Sequence, residues 1–151
     1  MRFLRSLLNP SIILICLGFS LCANALEFRT IVPAKAVLYD APSVEATKIF
    51  ILNQGYPVEV IVNLGAWIKV RDQLGGLSWI ESKNLTNKRT LLVINKTDIK
   101  SAEDSSANLL ATVEKDVVLG LSSANSKNGW IKVRHRDGIE GFVQAIDVWG
   151  F

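Results

Sequence analysis

The sequence predicts an all-β protein: two consecutive small β-barrels behind an N-terminal signal helix. Three observations predict it. A five-residue string occurs twice, as Trp67-Ile-Lys-Val-Arg71 and Trp130-Ile-Lys-Val-Arg134, 63 positions apart. Around each copy, β-branched residues alternate with polar ones at the period of a half-buried strand. Between the runs stand glycine turns, among them Asn53-Gln54-Gly55, Leu64-Gly65, Gly75-Gly76, Asn128-Gly129 and Asp137-Gly138.

The first 25 residues are read apart from the fold. Arg2 and Arg5 form a positive start, Ser11 to Cys22 an uncharged apolar run, and Ala23-Asn24-Ala25 a small-residue cleavage site at Ala23 and Ala25. That order is a secretory signal peptide. The alternative of a permanent anchor is disfavoured. The 15 residues from Ser11 to Ala25 would span only about 22 Å as a helix against a hydrocarbon core of about 30 Å. A lipidated Cys22 is a further alternative, opposed by the bulky Leu21 before it. Cleavage after Ala25 predicts a periplasmic or secreted chain with no stable membrane span. Cys16 and Cys22, the two cysteines, would leave with the signal, so stability must come from packed cores without disulfides. Of the 17 basic residues Arg2 and Arg5 lie in this segment, and none of the 14 acidic ones does, which lowers the formal charge from +3 to +1. So small a surplus gives no electrostatic case for nucleic acid.

The repeat keeps register downstream of the shared string. Gly75 meets Gly138, Trp79-Ile80 meets Phe142-Val143, and Leu85 meets Val148. Upstream, Arg29-Thr30 meets Arg89-Thr90 at a spacing of 60, the difference being absorbed in loops. The predicted units are 26–87 and 88–151. Val58, Val60 and Val62 alternate with Glu59, Ile61 and Asn63, and Ile68 and Val70 with Lys69 and Arg71. Asp137-Gly138 is a strong hairpin signal because glycine accepts positive φ. Ala102 to Val113, rich in Ser, Asp and Asn, predicts a loop entering a strand. The connection Thr86-Asn87-Lys88 is too short for a flexible tether, so the two barrels are expected to pack on each other or hold a fixed angle.

The pattern Gly55 to Leu85 (GYPVEVIVNLGAWIKVRDQLGGLSWIESKNL) resembles the core of the bacterial SH3-like domain family. Its carriers are a Gly-x-x-Val-x-Val strand, a Trp-x-x-Val-Arg strand, and a Gly/Ser-aromatic-Ile/Val strand ending in Leu. Val37 to Ser43 (VLYDAPS) resembles the family's N-terminal element, and Thr97 to Val148 is a weaker second copy. The ending Asp147-Val-Trp-Gly150 is similar to a branch of exported proteobacterial proteins with paired SH3-like domains. The resemblance implies SH3-like barrels; it is specific for fold and weak for function.

Candidate ligand-binding residues are Tyr39, Tyr56 and Trp67, read as lining one shallow groove. Trp67 shares a strand face with Lys69 and Arg71, opposite Ile68 and Val70. It either offers a stacking platform for a peptide or sugar, or packs on its own loop or the neighbouring barrel. Ala36-Val-Leu-Tyr-Asp40 resembles the segment whose Tyr lines the polyproline groove of eukaryotic SH3 domains, though Ala41 replaces the second Tyr. Trp79 is expected in the core. Arg71, Arg134, His135 and Arg136 read as a solvated basic cluster or as an attraction for an anionic surface. Catalysis is not expected. No cysteine remains for a Cys/His wall peptidase of the kind often fused to such domains, and His135 is the only histidine, too few for a zinc hydrolase. No cofactor or metal is expected. The partner expected is peptidoglycan or an envelope peptide or protein. The alternative to a binding module is a structural or accessory envelope protein that docks to a protein partner through its barrels.

Overall fold

A computed structural model describes residues 26–123 and 126–151. The signal helix, the cleavage residues Ala23 and Ala25, and Cys22 lie outside the described residues. Fourteen strands follow in order: β1 (Phe28–Ile31), β2 (Lys35–Tyr39), β3 (Lys48–Asn53), β4 (Pro57–Asn63), β5 (Trp67–Arg71), β6 (Leu77–Glu81), β7 (Leu85–Thr86), β8 (Thr90–Val93), β9 (Thr97–Lys100), β10 (Leu109–Val113), β11 (Val118–Leu121), β12 (Trp130–Arg134), β13 (Glu140–Gln144) and β14 (Val148–Trp149). Among the described residues the helical elements are two 3₁₀ turns, Ser82–Asn84 and Ala145–Asp147.

The strands form two antiparallel sheets of seven, ordered β3-β2-β6-β5-β4-β1-β7 and β10-β9-β13-β12-β11-β8-β14. The second order is the first shifted by seven strands, so the duplication read in the sequence is a duplication of topology. One expectation is corrected. The sheets do not close into barrels, because β3 and β7 end the first and β10 and β14 the second with no ladder between them. Each 3₁₀ turn sends the chain into a two-residue strand that reaches only β1 or β8, too short to join the opposite edge.

Equivalent residues fill the two cores. Ile31, Leu38, Val58, Ile68, Val70 and Ile80 are buried in the first; Val93, Ile99, Leu119, Ile131, Val133 and Val143 in the second. Their hydrogen bonds set the true register. The amide of Ile31 donates to the Tyr56 carbonyl at 3.0 Å, and that of Val93 to the Val117 carbonyl at 2.9 Å. The upstream spacing is therefore 62, not the 60 suggested by the two Arg-Thr pairs. Burial of the apolar stations outweighs a matching polar dipeptide.

The alternation read along β4 also needs correction. The β4–β5 register shifts between Val60 and Val62. The extra residue, Ile61, turns the end of the strand outward, and Val62 is exposed. The turns behave as read: Gly75 and Gly138 both have φ of +89°, which glycine adopts without steric cost. The loop entering β10 is present over 101–108.

Candidate functional site

The outer face of β2, β6 and β5 gathers three aromatic rings. Tyr39 lies opposite Trp79, and Trp79 lies opposite Lys69. Period-two alternation puts Trp67 and Lys69 on this same face, while Ile68 and Val70 go to the core. Tyr39 and Trp67 meet edge to face, centroids 5.4 Å apart at 88°. Such contacts add about 1 kcal/mol beyond area burial. Tyr39 is only 8% exposed, and Trp67 is half-buried. Trp67 therefore carries the accessible ring, and Tyr39 fixes its orientation from beneath. Trp79 is not among the core residues expected of it; it is half-buried on the outer face, with Lys69 Nζ 5.8 Å from its ring centroid. Its strand neighbours Ser78 and Ile80 take the buried stations instead.

In the second unit one of these three stations turns polar, as Lys100, and the other two keep rings, as Phe142 and Trp130. Lys100 faces Phe142 where Tyr39 faces Trp79. Trp130, the counterpart of Trp67, is 9% exposed. A groove of about 390 Å³ lies beside it, lined in part by Lys96, Asp98, Lys100, Gln144 and Asp147.

Tyr56 is not brought to the Tyr39–Trp67 pair. Its hydroxyl accepts the Gln73 amide at 3.3 Å, and its ring lies 6.4 Å from that of Trp149. Burial is the main cause of its raised phenol pKa, with Asp72 and Asp116 adding to the rise and the Gln73 hydrogen bond opposing it. Trp149 also meets Phe28 edge to face at 5.0 Å. Phe28 in turn lies beneath the Arg89 guanidinium, 5.3 Å away, while Arg89 Nη2 donates to the Gly150 carbonyl at 2.8 Å. Burial lowers the pKa of Arg89. Thr90 Oγ1 donates to the Gly55 carbonyl at 2.7 Å. Its single proton being used there, Thr30 Oγ1 is the donor in the 2.8 Å contact between the two hydroxyls. Tyr56 thus belongs to a seam where the units pack on each other, as the short connection requires. Phe28 and Trp149 are seam residues that the sequence reading missed. The only signal for either was an aromatic ring at a strand end, Phe28 between Glu27 and Arg29 and Trp149 between Val148 and Gly150.

Of the basic residues Arg71 stands apart in the first unit, while Arg134, His135 and Arg136 line one cleft of the second. Arg71 Nε and Nη2 both donate to Glu59 Oε2, at 2.8 and 2.5 Å, and Glu59 is buried. Arg134 reaches Glu140 at 3.6 Å, Arg136 reaches Asp137 at 3.9 Å, and the His135 Nδ1 accepts the Asp137 amide at 3.3 Å. Among the described residues no group of three or more His, Cys, Asp or Glu is placed to hold a metal ion, and no helix is long and apolar enough to cross a membrane.

An antiparallel sheet of this order, repeated with the Trp-Ile-Lys-Val-Arg strand at its centre, defines a class of small β domain. The model of the bacterial SH3 domain matches the chain twice, over 32–87 and 100–150. The chain belongs to the bacterial SH3 domain family, with two copies in tandem. No curated protein matches it. Similar solved structures include NlpC2 from Trichomonas vaginalis, at 13% identity and TM-score 0.39, covering 83% of this chain and 48% of that one. NlpC1 from the same organism is similar at 14% identity and TM-score 0.39, covering 93% and 51%. An NlpC/P60 family protein from Bacillus cereus is similar at 17% identity and TM-score 0.36, covering 82% and 56%. This chain spans about half the length of each.

Proposed function

We propose that this chain is an exported, non-catalytic binding module of the cell envelope, with a removable segment 1–25 and two units, 26–87 and 88–151, that recognises a peptide or a peptidoglycan component. One observation carries the reading: the Tyr39–Trp67 pair on the outer face of the first unit, with Trp79 and Lys69 beside it. An accessible indole held edge-on by a buried phenol presents a rigid stacking face at low entropic cost. Membership of the bacterial SH3 domain family supports a binding role. The absence of catalysis rests on chemistry. Beyond residue 25 the sequence has no thiol and a single imidazole, and neither a Cys/His pair nor a multi-histidine zinc site can be assembled from those.

Retention on purified cell wall tests this reading. Trp67→Ala should cut retention at least about fivefold while the amide spectrum stays folded. Equal retention of variant and parent removes the aromatic face from the function.

A second reading has its own observation. Strand β3 lies at the edge of its sheet and exposes Ile49, Phe50 and Ile51 in succession. An unpaired apolar edge is a template for another strand, which suits an accessory protein docked to an envelope partner. Crosslinking in intact cells separates the two. Muropeptide adducts favour the first reading, and a protein adduct through β3 favours the second.

A further inference from the structure

We infer that the second unit carries an anion-binding cleft, fitted to a phosphate group, at the station where the first unit supplies its own carboxylate. The cleft has a volume of about 640 Å³, and its charged lining is Lys88, Arg89, Arg134, Arg136 and Glu140, four cations against one carboxylate. The inference is independent of the aromatic face and of the wall-binding reading.

The repeat itself supplies the argument. Glu59 on β4 lies directly opposite Arg71 on β5, and at the matching station Gly120 on β11 lies opposite Arg134 on β12. In the first unit a buried carboxylate takes two guanidinium hydrogen bonds and cancels the charge. In the second the carboxylate is absent and Gly120 lines the open cleft. Arg134 keeps only a longer contact to Glu140, and that carboxylate also accepts the Ser122 hydroxyl at 3.2 Å. Arg89 is anchored by Gly150 and Phe28, so it contributes fixed charge. Lys88, Arg134 and Arg136 are exposed and supply the donors.

Phosphate fits this surplus better than a single carboxylate does. It carries a charge of about −1.5 to −2 near neutral pH and three acceptor oxygens, and guanidinium forks match its geometry. The acidic groups nearby do not close the cleft. Asp137 is an exposed partner of Arg136, and Asp116 lines the adjoining cavity of about 630 Å³ that is shared with His135 and Arg136 and walled by Asn53 and Gln54 of the first unit.

The natural control is Gly120→Glu, which writes the first unit's carboxylate into the second. A Cβ there would come no closer than 3.5 Å to the Arg134 carbonyl, an ordinary contact, and Gly120 is not among the positive-φ residues. Inorganic phosphate is titrated into the protein at constant ionic strength and followed by amide chemical shifts. The expected result is saturable shifts at 88, 120, 134 and 136. Gly120→Glu and Arg134→Gln should weaken them about tenfold, and Lys48→Gln, an exposed cation on β3 of the first unit, should leave them unchanged. Shifts that do not saturate, or that survive in Gly120→Glu with its fold intact, overturn the proposal. Cosedimentation with phosphatidic acid vesicles, whose headgroup is a phosphate monoester, identifies the source. Binding that is lost in Gly120→Glu points to a lipid headgroup, and phosphate binding without vesicle binding points to a free phosphate.

Discussion

The two units agree on the inside and differ on the outside. Their strand order and core stations coincide from Ile31 and Val93 through Ile80 and Val143. On the outer face Tyr39 becomes Lys100, Trp79 becomes Phe142 and Glu59 becomes Gly120, while at the rim of the core Tyr56 becomes Val117. Period-two strands permit this separation, since alternate residues answer to different surroundings. One face was held to a packed interior, and the other was free to give one unit an edge-to-face Tyr39–Trp67 pair and the other a surplus of cations around Arg134.

The largest expected effect breaks the comparison at its charge station. Arg71→Ala strands the Glu59 carboxylate, whose side chain is 6% exposed. Losing one partner of a buried pair costs about 3–5 kcal/mol. The Arg71 side chain is 45% exposed, so water can reach part of the site and about 2–3 kcal/mol is expected. Arg134→Ala should change stability by no more than about 0.5 kcal/mol, because its pairing is surface-like. Denaturant melts of the two variants check this. Equal losses would mean that Gly120 and Glu59 are not different environments.

A middle-sized effect tests whether the comparison is between joined units. Gly150 has φ of +120°, and a Cβ there would lie 2.8 Å from the Thr90 carbonyl and 3.0 Å from Pro57 Cβ. Gly150→Ala should cost about 1–2 kcal/mol through strain and displacement at the seam. The expected signature is two melting transitions in place of one. A single transition at the parent midpoint would show that the seam does not couple the units.

Much of this architecture was legible. The string Trp-Ile-Lys-Val-Arg placed β5 and β12 and told that Ile68 and Val70 face in, because alternation on a regular strand is purely local; in β12 the buried Trp130 beside Ile131 departs from it. Non-local terms defeated the rest. A bulge at Ile61 turned Val62 outward, and no composition marks a bulge. Arg29-Thr30 and Arg89-Thr90 looked like equivalent stations, yet the apolar register is 62, and Thr30 and Thr90 instead meet across the seam. Barrel closure failed because β7 and β14 are two residues long, a length set by the 3₁₀ turns before them. Of the candidate groove, Tyr39 and Trp67 meet, while Tyr56 belongs to the seam. Sequence distance could not separate them, since all three lie near glycine turns or strand ends.

The smallest effect sharpens the contrast between Tyr56 and Val117. Tyr56→Phe keeps the ring on Trp149 and removes the oxygen that accepts the Gln73 amide. A loss of about 0.5–1 kcal/mol is expected at neutral pH. The pH dependence is the more selective readout. Burial raises the folded phenol pKa above its ordinary value of 10.0, helped by Asp72 and by Asp116 of the second unit. The unfolded chain therefore releases this proton first as pH climbs. The stability linked to it is complete below about 10 and is lost as pH rises through the folded value. Tyr56→Phe should flatten that part of the alkaline slope. Asp116→Asn should reduce it by a smaller amount, because burial, not Asp116, is the main cause. An unchanged slope in Asp116→Asn would mean that the second unit does not reach the phenol, and would confine Tyr56 to the unit that carries it.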